Sequence, residues 1–174
     1  ALPEIVARVI RRFEPLAARA GVVLASQLAP ELPAVLGDAD QLEQLVGNLV
    51  DNAIRYGASG GRVVFEVVAE AAAPAGCGPV SGRPAVRLSV TDFGPGIAPE
   101  HQPRLTERFY RVDKARSRAL GGTGLGLAIV KHILRRHQGH LAIHSEVGKG
   151  SCFTVRLPIA GPGRDCHTDV THLS

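Results

Sequence analysis

The sequence predicts an α+β fold, a two-layer α/β sandwich in which three helices cover one face of a mixed sheet. Two long segments repeat apolar residues every three or four positions, the signature of amphipathic helices. Several runs rich in β-branched residues are bounded by Gly, Pro and Asp and pair off as hairpins. The two kinds of element are interleaved, which places the helices against one side of a sheet rather than in a separate bundle.

The elements follow in order. Residues 2–20 carry Ile5, Val9, Phe13 and Leu16 at helical spacing and stop before Gly21. Residues 22–28, VVLASQL, form a strand. After a Pro-containing loop, Asp38 suits the N-cap of a long helix over about 39–56, whose core stripe is Leu42, Val46, Leu49 and Ala53. Gly57 to Gly61 end it. RVVFEVVAE (62–70) and AVRLSVTD (85–92) are strands, joined through the Ala/Pro/Gly-rich stretch 71–84, read as a flexible hairpin loop. Residues 93–122 show little periodicity, and an irregular connection of that length inside a compact domain is usually functional. A helix from Thr123 to His137 comes next, with Arg135, Arg136 and His137 in its last turn and Gly139 as the expected C′ residue. HLAIHSE (140–146) and SCFTVRLPI (151–159) close the sheet as a hairpin across VGKG. The domain is expected to span 1–159, and the polar tail 160–174 to be disordered.

Composition narrows the function. At 174 residues the chain matches about one domain of roughly 100–200 residues. With 45% hydrophobic and 21% charged residues it is neither fibrous nor disordered in bulk. Its apolar runs fall short of the roughly 18–20 residues of a membrane-spanning helix, and ALPEIVARVIRR does not have the pattern of a signal peptide. Cys77, Cys152 and Cys166 are odd in number and lack metal-like spacing, so neither a disulfide scaffold nor a zinc site is indicated and a reducing cytoplasm is the default. Aromatics at 4% and the absence of Trp disfavour base stacking. Residues 101–118 contain Arg104, Arg108, Arg111, Lys114, Arg116 and Arg118 against Glu107 and Asp113, an excess equal to the +4 of the whole chain. Such a run is either a solvated loop or a patch for a polyanion.

Three constellations decide between these. On the long helix, Asn48, Asn52 and Arg55 share one side, about 100° from the core stripe. Each alone reads as a surface residue; together with Tyr56 they can offer amide oxygens to a metal and a charge to phosphate. Magnesium suits such a site, because it keeps phosphate oxygens and waters among its ligands. Asp92-Phe93-Gly94-Pro95-Gly96 follows a strand directly. Alone it reads equally well as a turn, but a buried carboxylate there can accept from an exocyclic amine while the glycines admit a flat ring. Gly121-Gly122-Thr123-Gly124-Leu125-Gly126 opens a helix, where free N–H groups and the dipole favour an anion. A dinucleotide fold would need a strand before these glycines. Gly148-Lys149-Gly150-Ser151 departs from a Walker A run and reads as a turn.

In this order, QLEQLVGNLVDNAIRYG, DFGPGI and GGTGLGLAIVKHI resemble the N, G1 and G2 boxes of the catalytic ATP-binding domain of sensor histidine kinases, with RLTERFYRVDKARSR similar to the F box and ATP lid. GPGIAPEH and the basic run resemble the phosphate-regulon sensor kinase subgroup. The resemblance implies a Bergerat-type ATP-binding fold, a lid over about 98–122, and ATP with Mg²⁺ as cofactors. It implies that Asn52 holds the metal and Asn48 supports the metal and phosphates, with Arg55 and Arg111 as further catalytic groups. Tyr56, Tyr110 and Lys114 would also meet the nucleotide, Asp92 would read the adenine amine, and Gly94, Gly96 and Ile97 would border the base. Gly122, Thr123, Gly124, Leu125 and Gly126 would flank the triphosphate. The basic excess then serves a triphosphate rather than nucleic acid.

A histidine kinase needs a phosphoacceptor histidine on a helical hairpin, and none of His101, His132, His137, His140, His144, His167 or His172 has that context. His132 and His137 read as surface residues. The resemblance therefore implies a dimerisation and phosphoacceptor domain before Ala1, a cognate response regulator, and a cytoplasmic location within a membrane-anchored homodimer of the inner membrane. Gyrase, Hsp90 and MutL-type ATPases of the same fold place a water-activating glutamate where this chain has Asn48, which cannot act as a general base. Two alternatives remain: a nucleotide-sensing module without catalysis, and an ATPase or serine kinase of the same fold.

Overall fold

A computed structural model describes residues 1–160 and, at 116–118, the backbone only. The tail reading for 161–174, with Cys166, His167 and His172, lies outside the described residues. The elements are α1 (Leu2–Arg19), β1 (Val23–Leu28), α2 (Ala39–Gly57), β2 (Arg62–Glu70), β3 (Ala85–Asp92), α3 (Lys114–Ala119), α4 (Gly126–Arg136), β4 (His140–Glu146) and β5 (Gly150–Pro158). The five strands form one sheet in the order β1-β2-β3-β5-β4. β1 runs parallel to β2, and all other pairs are antiparallel. Among the described residues, no helix is long and apolar enough to cross a membrane.

The alternation of the strands sets the two faces. Val63, Phe65 and Val67 of β2, Leu88 and Val90 of β3, and Phe153, Val155 and Leu157 of β5 point to the helix side and are buried. They meet Val6 and Val9 of α1, Leu45, Val46 and Leu49 of α2, and Val130, Ile133 and Leu134 of α4 in one core. The opposite face carries charge. Arg87 bridges Glu66 at 2.8 Å and Glu70 at 3.0 Å, and Glu70 also holds Arg156 at 2.8 Å.

The Asp38 cap forms as its residue type predicts: its Oδ1 accepts from the N–H groups of Asp40 and Gln41, at 2.9 and 3.0 Å. The far end of α4 corrects two expectations. The left-handed residue is Gln138, at φ 52°, not Gly139. Gly139 is needed for space instead, since a Cβ there would lie 2.7 Å from Leu134 Cδ2 and 2.8 Å from the Arg156 carbonyl oxygen. Its N–H donates to the Leu134 carbonyl, closing a Schellman motif. His137 is not a free surface residue. Its Nε2 accepts from the Asp38 N–H at 3.1 Å and its Nδ1 lies 2.8 Å from the Ile133 carbonyl oxygen, so the imidazole ties the end of α4 to the start of α2.

The 71–84 connection carries a small buried cluster of its own, Ala73, Cys77 and Val80 with Ala85. Composition alone hides this, because alanines and a cysteine in a loop carry no periodicity. The 93–122 segment contains a single helical turn at Gln102–Arg104 and the short α3.

Candidate functional site

One pocket lies between the C-terminal half of α2, the end of β3, the start of β5 and the long segment before α4. Asn48, Asn52, Arg55 and Tyr56 line it from α2; Asp92, Gly96 and Ile97 from the end of β3 and the loop after it; Tyr110 and Arg111 from the basic segment; and Gly122, Thr123, Gly124 and Gly126 from the turn into α4. Three stretches far apart in sequence thus meet in one cavity. Lys114, Gly94 and Leu125, also expected at the site, do not line it.

Asp92 sits at the floor, 5% exposed. Burial pushes its carboxyl above the ordinary carboxylate value, while the backbone N–H groups of Gly94 and Ser151 pull it the other way. The Gly94 N–H donates to Oδ1 at 3.0 Å. The carboxylate can be there only because its surroundings lack side chains. A Cβ on Gly57 would fall 2.4 Å from Asp92 Cβ, and one on Gly94 would meet Gly57 Cα at 2.7 Å. Gly94 therefore serves the approach of the loop to α2 rather than the cavity wall.

The loop after Asp92 is fixed to the β4–β5 hairpin. Ser145 Oγ accepts from the Ile97 N–H at 2.8 Å and lies 2.8 Å from Ser151 Oγ. Gln102 Nε2 donates to the carbonyls of Ile97 and Ser145, both at 3.0 Å, and the Gly148 N–H donates to the Pro95 carbonyl at 2.7 Å. Gly96, at φ 71°, passes so close to the Glu146 carbonyl that only glycine fits.

The opposite wall is cationic and held by main-chain oxygens. Arg55 Nε donates to both carboxylate oxygens of Asp51, at 2.8 and 2.7 Å, and its Nη1 donates to the Leu120 carbonyl. Arg111 Nη2 donates to the Gly122 carbonyl. Gly124, at φ 72°, lets the backbone of Phe109 come close, and the Phe109 N–H donates to its carbonyl at 2.8 Å. Phe109 itself is 69% exposed and does not pin the segment. Leu105, which packs on the core, holds it instead, and within the segment the Tyr110 ring lies 4.3 Å from the Arg104 guanidinium.

Sequence reasoning did not place Asp51, Pro95, Val112, Asp113, Leu127, Ser151 or Phe153 in the cavity lining. Two of these had a readable signal. Asp51 stands four residues before Arg55, the spacing of a helix ion pair, and Ser151 pairs with Asp92 once β3 and β5 are aligned.

A buried acceptor at a sheet end, a row of amides on a helix, and a glycine-opened helix with two arginines thus share one cavity, an arrangement chemically suited to a polyanion with a flat, amine-bearing head. The family model for the Histidine kinase-, DNA gyrase B-, and HSP90-like ATPase matches residues 37–161, and the chain belongs to this family. Within it, the similarity runs to sensor histidine kinases. The chain is 41% identical over 158 residues to the sensor histidine kinase RppB of Synechocystis sp., covering 91% of this chain and 32% of that protein. It is 45% identical over 121 residues to the phosphate regulon sensor protein PhoR of Pseudomonas aeruginosa, covering 70% of this chain and 25% of that one. Full-length ShkA, solved in complex with AMPPNP, superposes with a TM-score of 0.73 at 29% identity, over 92% of this chain and 30% of that chain. The chain thus spans about a third or less of the length of these relatives.

Proposed function

We propose that this domain binds Mg-ATP and donates its γ-phosphoryl group to a histidine on a separate phosphoacceptor and dimerisation domain, in two-component signalling. The observation that carries the reading is the pairing of Asp92 with Asn48 and Asn52 across one pocket. Asp92 accepts from the adenine amino group. The donor set suits magnesium: neutral amide oxygens on Asn52, supported by Asn48, leave the negative charge to the phosphates. Bound magnesium would neutralise charge on the phosphates. Arg55 and Arg111 turn from the Leu120 and Gly122 carbonyls towards the triphosphate, with Lys114 brought in as the 98–122 lid closes.

Phosphoryl transfer depends chiefly on positioning and charge neutralisation. Asn48 supplies no base for water, so the phosphorus–oxygen bond breaks in favour of an incoming imidazole nitrogen and ADP departs. The functional unit spans 1–159. The likeness to the phosphate-regulon sensor supports phosphate as the signal, a response regulator as the next acceptor, and a cytoplasmic placement in a membrane-anchored dimer.

The test is to mix the domain with radiolabelled ATP and a phosphoacceptor hairpin in trans. Label appearing on the hairpin histidine, acid-labile and base-stable, is expected. Hydrolysis without transfer would assign an ATPase, and binding with neither would assign a sensing module.

A further inference from the structure

A second groove lies outside the nucleotide pocket, between α4 and β4, with a volume of about 470 Å³. Binding sites commonly fall in the range of roughly 300–1,000 Å³. Leu134, Leu141 and Ile143 give it an apolar lining beside the polar Gln102, Thr106 and His140, and the exposed Pro103, Lys131 and Arg135 border it. Both cations are exposed, and neither is ion-paired among the described residues. No acidic residue occurs anywhere in α4, GLAIVKHILRR, to balance them.

The groove also follows an open strand edge. Among the described residues β4 is terminal in the sheet and pairs with β5 alone. On its outer side the Ser145 carbonyl is satisfied by Gln102 Nε2. Main-chain groups of every second residue point the same way along an antiparallel strand, so Ile143 and Leu141 present their N–H and C=O groups outward beside Ser145. Gln102 caps the edge at one end and leaves it open along the groove.

We propose that this groove binds an extended acidic segment of a partner protein, which adds a sixth strand along β4. The charges specify the occupant. Lys131 and Arg135 are four residues apart on one helix, about 6 Å along its axis. Alternate residues of an extended chain are about 6.6 Å apart, so two carboxylates at positions i and i+2 meet the two cations. Aliphatic residues on the same face, on either side of that pair, cover Leu134 and Ile143. A second copy of this domain would instead set Lys131 and Arg135 against like charges.

The probe is an acetylated, amidated heptapeptide, Val-Thr-Asp-Thr-Asp-Thr-Val, titrated into the isotope-labelled domain by NMR. Expected are shifts of the Leu141 and Ile143 amides with slowed exchange of both, binding at least tenfold weaker when the two aspartates are lysine, and a similar loss when alternate peptide nitrogens are methylated. Lys131→Glu with Arg135→Glu should abolish binding while nucleotide affinity, measured in parallel, stays unchanged and reports an intact fold. The proposal is overturned by no binding at millimolar peptide, by equal binding of the lysine or N-methyl peptides, or by shifts confined to the nucleotide pocket. Concentration-dependent dimerisation through β4 would equally overturn it, in favour of a second copy.

Discussion

Replacing Asp92 by Asn separates what the carboxylate does for the ligand from what it costs the fold. The two side chains are nearly isosteric, so Gly57 and Gly94 still fit around it, and the Gly94 N–H keeps an oxygen to donate to. For binding, the proposed charge-assisted hydrogen bond to the adenine amine would be lost and an amide donor would face it, worth on the order of 1.5–3 kcal/mol, or roughly ten- to a hundredfold in Kd. For stability the sign is opposite. The folded carboxyl has its pKa raised above the ordinary 3.8, chiefly by burial. Ionising it in the folded domain therefore costs more than ionising it in the unfolded chain. That penalty is fully present above the folded pKa and vanishes below the unfolded one. Asp92→Asn should accordingly melt higher than wild type at neutral pH without nucleotide, and the advantage should shrink as the pH falls through the carboxylate range. Calorimetry with ATP and thermal unfolding of the empty domain from pH 3 to 8 read the two effects. A variant that binds ATP like wild type, or that melts lower at neutral pH, would refute the reasoning.

Three further outcomes follow from the pocket. Gly57→Ala forces a Cβ onto Asp92 and should destabilise by about 1–3 kcal/mol and weaken ATP more than it weakens tripolyphosphate, checked by denaturant unfolding and competition binding. Asn52→Ala should weaken Mg-ATP more than metal-free ATP by calorimetry, and equal losses would remove Asn52 from the metal. Hydrogen exchange of 98–122 should slow when Mg-ATP binds, and less so in Arg111→Ala; protection unchanged by ligand would make the basic segment a static surface.

The strands were the most legible part of the fold. β2 and β3 begin and end where the β-branched runs do, because Gly, Pro and Asp punctuate them. The start of α4 was less so: it begins at Gly126, three residues after Thr123, because Gly124 is spent on the approach of Phe109. The His137 tie joins residues 99 positions apart and leaves no local pattern. The pocket was legible in its motifs and obscure between them. Asn48, Asn52 and Asp92 stand out as polar residues at element ends or beside a core stripe. The exposed, left-handed Phe109 and the Arg55 contact with the Leu120 carbonyl depend on how the chain returns over α2.

The polar knot of Ser145, Ser151 and Gln102 makes the two sides of the cavity mechanically unequal. On the proposed reading, the side assigned to the base shares the stiffness of the β4–β5 hairpin, whereas the side assigned to the phosphates is clasped by two arginines to carbonyls they could exchange for a ligand. Recognition is then expected to run in sequence: the head group docks first into a preformed socket, and the tail recruits its own enclosure. Adenosine alone should fill the socket without stirring the segment above it, and the lifetime of a spent nucleotide should be set by the arginines rather than by the base.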